Sequence, residues 1–238
     1  MEVQTIEGQP TEGQQATRVL AIRHGETAWN VDARLQGHLD IPLNDTGRWQ
    51  ARRLALALAD ETIDAVYSSD LLRALETAQA VAAAGSGRAI VTDTGLRERG
   101  FGEFEGLTFN EIEARWPEQS ERWRKRDPAY GPAGGEVLAD FYTRCVATVT
   151  RLAGAHPGQT IAVVAHGGVM DCLYRAATRL DLQAPRSWQL GNASINRLLY
   201  TPQGLTLVGW SDTWHLEGPS LDEASDGETG AELAERAP

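Results

Sequence analysis

Residues 160–168 read Thr-Ile-Ala-Val-Val-Ala-His-Gly-Gly. The apolar run is too short for a helix, and two glycines close it, so it reads as a buried β-strand ending at His166. Arg18–His24 (RVLAIRH) repeats the pattern, a short apolar strand whose terminal histidine is followed by Gly25. Between them the same alternation recurs. Asn44 or Thr46 can cap a helix over Gly47–Ala59, where Trp49, Leu54, Leu56 and Leu58 supply apolar positions. A strand follows at Ile63–Ser68, then a helix over 70–84 capped by Ser69 and stopped at Gly85, then a strand at Arg88–Thr92. Phe109–Trp116 reads as a short helix halted by Pro117, Glu136–Ala155 as the longest helix, and Val169–Leu180 as another. Ser194–Thr201 and Leu205–Trp210 are the expected late strands, flanking a turn at Pro202–Gly204.

Strands alternating with helices predict an α/β fold, a three-layer α/β/α sandwich with a mostly parallel central sheet. In such sheets chemistry gathers beyond the carboxyl ends of the strands. If the strands are parallel neighbours, His24, His166 and Arg73, the last just beyond Ser68-Ser69-Asp70, converge on one edge from distant parts of the chain. Two histidines with Arg23 and Arg73 make a strongly cationic pocket. Guanidinium groups match phosphate oxygens in bidentate fashion and keep their charge. Zinc would not favour two fixed cations beside its ligands and would recruit a third ligand, so no metal is expected. Asn30 and the backbone around Gly25 and Gly167 can add donors. A histidine nitrogen in line with a bound phosphoryl group could attack it and form a phosphohistidine. The leaving alkoxide then needs a proton, for which Glu98 in LRERGFG (96–102) is the candidate, ahead of Glu26, Glu103 and Glu105. His38, His156 and His215 are read as structural.

The 238 residues are 42% hydrophobic and 23% charged, a globular balance with no apolar run long enough to cross a membrane. The first 17 residues carry three glutamates and neither Lys nor Arg, which does not fit a secretory signal. Two cysteines, Cys145 and Cys172, form neither a disulfide framework nor a metal cluster, so a cytoplasmic location is expected. The net charge of −11 sits in the ends. Residues 217–238 hold seven acids against one arginine and residues 1–16 hold three acids and no base, which leaves 17–216 at −2. That near-neutral centre argues against nucleic acid. The expected organisation is a flexible segment over 1–16, one domain over 17–216 and an acidic, disordered tail over 217–238.

Taken together, RHGET (23–27) with Trp29-Asn30, RLQGHLDIPLN (34–44), SSDLLRA (68–74) with Thr77-Ala78, LRE (96–98) with Phe101-Gly102 and Glu105-Gly106, GGE (134–136) and VVAHGG (163–168) closely resemble the histidine phosphatase superfamily, the phosphoglycerate mutase-like family. The resemblance spans about residues 18–200. It implies the phosphoglycerate mutase-like fold, His24 as the phosphorylated nucleophile, Glu98 as proton donor, and Arg23, Arg73 and His166 as phosphate-pocket residues assisted by Asn30. It further places Gln36 and Gly37 on a substrate loop, and implies no metal and no cofactor. Arg99 and Gly167 complete the expected substrate-binding set.

The family divides between mutases and phosphatases. Phe101 stands where mutases usually carry Tyr, Gly168 where they usually carry Asn, and Trp123-Arg124-Lys125 only faintly resembles the mutase basic pair that grips a carboxylate. The long mutase insertion is also missing before Gly134. A shorter cap, about 107–133, leaves the site open to water, so a phosphomonoester hydrolase acting on a small phosphorylated metabolite is expected. The alternatives are a cofactor-dependent phosphoglycerate mutase and a non-catalytic phospho-ligand binder. Trp116, Trp123, Arg122, Arg124 and Arg126 suit either a polar, carboxylated or sugar phosphate or a solvated helix. Trp188, Trp210 and Trp214 are read as core or interface anchors. A C-terminal edge strand could pair with a second copy to give a homodimer.

Overall fold

The computed structural model describes residues 15–84 and 87–217. The expected flexible start (but for Gln15 and Ala16), the helix stop at Gly85 and the acidic tail beyond Glu217 lie outside the described residues. Six strands form one sheet: β1 (Thr17–Arg23), β2 (Ala65–Ser68), β3 (Ile90–Thr92), β4 (Thr160–Ala165), β5 (Ile195–Thr201) and β6 (Gly204–Asp212), in the order β3-β2-β4-β1-β5-β6. The pairs β3–β2, β2–β4 and β4–β1 are parallel, while β1–β5 and β5–β6 are antiparallel.

Period-two alternation sorts the side chains of β1 and β4 between two faces. Val19, Ala21, Ile161, Val163 and Ala165 pack with α6 (Leu138–Gly154) and α7 (Gly167–Thr178). Leu20, Ile22, Ala162 and Val164 pack instead with α2 (Asp45–Ala57) and α3 (Leu72–Ala84). Every residue of β4 is buried, which is why its sequence is continuously apolar rather than alternating. The expected three-layer architecture is therefore present, with strand and helix ends shifted by at most two residues from their predicted positions.

One predicted boundary is wrong in kind. Pro117 does not end the helical stretch. It occupies the first turn of α5 (Pro117–Arg124), directly after α4 (Phe109–Arg115). Proline lacks an N–H that the first turn would leave unpaired anyway, so it starts a helix as readily as it ends one. Thr108 caps α4 in a reciprocal capping box with Glu111. The two short helices bury a separate cluster, in which Phe101, Phe104, Ile112 and Tyr130 meet Trp116 and Trp123.

Candidate active site

The β1–β4 pairing sets Arg23 beside Ala165, so His24 and His166 leave the sheet side by side. Their rings lie 5.3 Å apart between centroids. Because β2 pairs with the other edge of β4, the Ser69–Leu71 turn delivers Arg73 to the same place. His24, Arg73 and His166 are all buried. The expected convergence of the two strand-end histidines with Arg23 and Arg73 is thus found.

His24 Nδ1 lies 2.6 Å from the Gly25 carbonyl oxygen. That oxygen can only accept, so Nδ1 carries the proton and Nε2 keeps its lone pair. Burial, reinforced by Arg23 and Arg73, holds the His24 imidazole well below its ordinary pKa of 6.5. His166 is lowered in the same way, by burial and then by Arg73, His24 and Arg23. Burial also lowers Arg23 to about 10, with Arg186 and Arg73 adding to the effect. Four buried nitrogens of this cluster have no partner among the described residues: Arg23 Nε, Arg73 Nε and both ring nitrogens of His166. Buried polar groups are normally paired, and a phosphoryl group is a ligand with enough acceptors to satisfy this set.

These shifts have a consequence for stability. Below pH about 6.5 the unfolded chain binds protons at both histidines while the folded chain does not. Stability therefore falls as pH drops from 6.5 toward the lowered folded values, by up to about 2.7 kcal/mol per pH unit for two groups. Denaturant unfolding at pH 7.5, 6.5 and 5.5 should show a plateau, then a steep decline. A flat profile across that range contradicts the assignment of two neutral buried imidazoles.

Glu98 is held by backbone donors: Arg99 N to Oε1 at 2.9 Å and Gly168 N to Oε2 at 3.0 Å. The other carboxylates near it are engaged elsewhere. Glu105 Oε1 accepts from the amides of His38 and Phe101, Glu26 from Asn44, and Glu103 from the amide of Ala133. Arg144 pins the loop from outside, donating to the carbonyls of Gly95, Arg97 and Glu98 while pairing with Glu136. Gly168 is a spatial requirement, since a Cβ there would lie 2.2 Å from Glu98 Oε1. Gly168→Ala should displace the carboxylate and lower kcat roughly 10–100-fold, in keeping with the sensitivity of such geometry to shifts near 1 Å. An unchanged kcat would show that Glu98 needs no such placement.

The other expected residues surround this cluster. Arg73 donates Nη1 to Leu39 O and Nη2 to Gly37 O, which fastens the 36–40 loop beside the histidines. Gln36 is buried there, with an unpartnered Oε1. Asn30 Oδ1 accepts from Thr27 and from Asn192 Nδ2. Arg99 donates to the carbonyls of Glu136 and Tyr130 and lies over Trp123. Asn192 was missed by sequence reasoning, although its amide also reaches the carbonyls of His24 and Gly25.

Arg23, Glu98, Arg99 and Gly167 line a cavity of about 770 Å³ that runs on to Arg126 and Trp188. His24, His166 and Arg73 are not on its wall but lie buried within electrostatic reach of Arg23. Trp188 was expected in a core or an interface, and it stacks on Tyr174 at 4.0 Å, yet it also faces the cavity. Trp214 is no core anchor, being 74% exposed. Among the described residues no group of three or more His, Cys, Asp or Glu side chains is placed to hold a metal ion.

A buried histidine pair between two arginines, at the carboxyl ends of the parallel strands β1, β4 and β2, defines a phosphoryl-binding α/β protein. The profile of the histidine phosphatase superfamily (branch 1) matches residues 19–213, and the chain belongs to that superfamily. It is 41% identical over 202 residues to phosphoglycerate mutase-like protein 4 of Arabidopsis thaliana, covering 84% of this chain and 86% of that one. It is 34% identical over 204 residues to the metal-independent phosphoserine phosphatase of the same plant, covering 85% and 84%. Among solved structures, mycobacterial glucosyl-3-phosphoglycerate phosphatase complexed with VO3 superposes with a TM-score of 0.72 at 32% identity, covering 82% of this chain and 98% of that one.

Proposed function

We propose that this chain hydrolyses phosphate monoesters of small metabolites through a phosphohistidine at His24, without a metal. One observation carries the reading: a neutral imidazole with Nδ1 fixed by Gly25 O and Nε2 free, set against His166 and two arginines with unpartnered Nε atoms. The phosphoryl group lies among Arg23, Arg73 and His166. His24 Nε2 donates its lone pair to phosphorus as the ester P–O bond breaks. Glu98 passes its proton to the departing alkoxide oxygen and becomes a carboxylate. That carboxylate then takes a proton from water, whose oxygen attacks phosphorus and releases phosphate and His24. Fixed guanidinium charge supplies the stabilisation of the equatorial oxygens.

Hydrolysis is favoured over phosphoryl return for a reason in the structure. The residues resembling the mutase basic pair do not line the cavity: Arg124 pairs with Glu113 and the exposed Lys125 with Glu121. The phosphatase names of the relatives support the same reading. We assign the 107–133 segment, with α4 and α5, as the cap over the leaving group. The test is phosphate release from p-nitrophenyl phosphate, phosphoserine, 3-phosphoglycerate and sugar phosphates in EDTA, beside a mutase assay primed with 2,3-bisphosphoglycerate. Metal-independent phosphate release supports the proposal. Isomerisation with little release overturns it in favour of a mutase.

A further inference from the structure

Glu98 stands on a stretch of chain without regular structure. After the short 3₁₀ turn Thr94–Leu96, residues 97–101 belong to neither helix nor strand, so no backbone ladder fixes where the carboxyl points. Three carbonyls of this stretch converge instead on the guanidinium of Arg144, on α6. Nη1 donates to Gly95 O at 2.9 Å and to Arg97 O at 3.1 Å, and Nη2 to Glu98 O at 3.4 Å. The other side of the same group meets Glu136 in a fork, Nε to Oε1 at 2.8 Å and Nη2 to Oε2 at 2.7 Å. Every N–H of the guanidinium therefore has an acceptor.

This pair governs the whole stretch. The main chain of Glu136 donates to Gly100 O at 2.8 Å and accepts from Arg99 Nε at 2.9 Å, so residues 95–98 are held by Arg144 and 99–100 by its counter-ion. Three converging carbonyl oxygens are all partly negative, and without a cation between them they repel. His38 Nε2 adds a bond to Glu98 O at 2.8 Å but makes none to the Gly95 or Arg97 carbonyls. Neither Arg144 nor Glu136 lines the cavity, so neither is placed to touch a substrate. At the far end of the chain of contacts stands Gly168. It lies in the first turn of α7, where an amide has no intrahelical acceptor, and its N–H is bonded to the Glu98 carboxylate.

We infer that Arg144, backed by Glu136, is the positioning residue of the proton donor: it sets the backbone of 95–98 so that the Glu98 carboxyl is held at Gly168 N, on the cavity wall. The inference rests on the phosphatase reading, in which Glu98 protonates the leaving oxygen. Arg144 acts through Glu98 alone, and its loss therefore affects the proton-dependent steps and spares phosphoryl binding.

The test compares two esters in Arg144→Met, which keeps an apolar stem and removes the fork. With 3-phosphoglycerate, an alkyl ester, kcat should fall on the order of 10–100-fold with little change in KM, the scale of a catalytic group displaced by about 1 Å. The first-turnover burst of p-nitrophenol from p-nitrophenyl phosphate needs no proton, so its rate constant should stay within about threefold. Arg144→Lys keeps the charge without the fork and should recover part of the alkyl rate. Glu136→Gln should show the same selectivity with a smaller loss, and it decides the matter if Arg144→Met does not fold. Equal losses on both esters, or none on either, overturn the inference. The Gly168 amide reads the same placement without turnover. Its hydrogen exchange, followed by NMR relative to amides in the middle of α7, should quicken about tenfold in Arg144→Met, toward the rate in Glu98→Ala, the scale of one charge-assisted hydrogen bond. Unchanged protection overturns the inference. If the wild type hydrolyses no ester, the phosphatase reading fails, and the exchange rate of Gly168 still decides on Arg144.

Discussion

His24→Ala is expected to lower phosphate release by on the order of 10⁴–10⁶-fold, the scale seen when a covalent nucleophile is removed. The loss follows from what the structure offers in its place. His166 is also neutral and buried, but neither of its ring nitrogens has a partner that fixes the tautomer, whereas His24 Nδ1 is tied to Gly25 O. The variant should remain folded, because the pocket is walled by β1, β4 and the Arg73 tether rather than by the His24 ring alone. It should also still bind inorganic phosphate through Arg23, Arg73 and His166. Retention of most activity would remove the nucleophile assignment.

Glu98→Ala is expected to separate two classes of ester. An alkyl phosphate needs its leaving oxygen protonated, so its turnover should fall roughly 10²–10⁴-fold with the loss of the acid–base group. p-Nitrophenolate departs without a proton, so its first step should survive while attack by water on the phosphohistidine slows. The predicted trace is a burst of p-nitrophenol equal to the enzyme present, followed by a slow phase. Equal losses on both esters with no burst would point to a different acid. The alanine leaves two backbone donors, Arg99 N and Gly168 N, on a cavity wall where water can reach them.

The parts of this protein that were legible in its sequence share one physical property: their roles are written in local pattern. β4 is buried on both faces, so its run is continuously apolar, and β1 ends in the same histidine-glycine signal. Parallel pairing of such strands is enough to bring His24 and His166 together. Pro117 misled because the same ring that stops one helix pre-organises the start of the next. Trp188, Arg186 and Asn192 lie in an irregular segment, Leu180–Ser194, without periodicity to read. Their positions depend on contacts with Tyr174, Arg175 and Asn30 that lie far off in sequence or on another element. Arg99 and Arg124 show the limit from the other side, since their sequence context does not reveal whether a guanidinium meets carbonyls, a surface glutamate or a ligand.

The central claim is that phosphoryl transfer passes through His24. The most direct measurement is rapid quenching of the enzyme with radiolabelled ester in EDTA at neutral to alkaline pH, followed by peptide mapping. The account predicts about one acid-labile phosphoryl group per chain, formed within the first turnover and located on His24 at Nε2. Turnover with no protein-bound phosphoryl group, or label on any other residue, would contradict it.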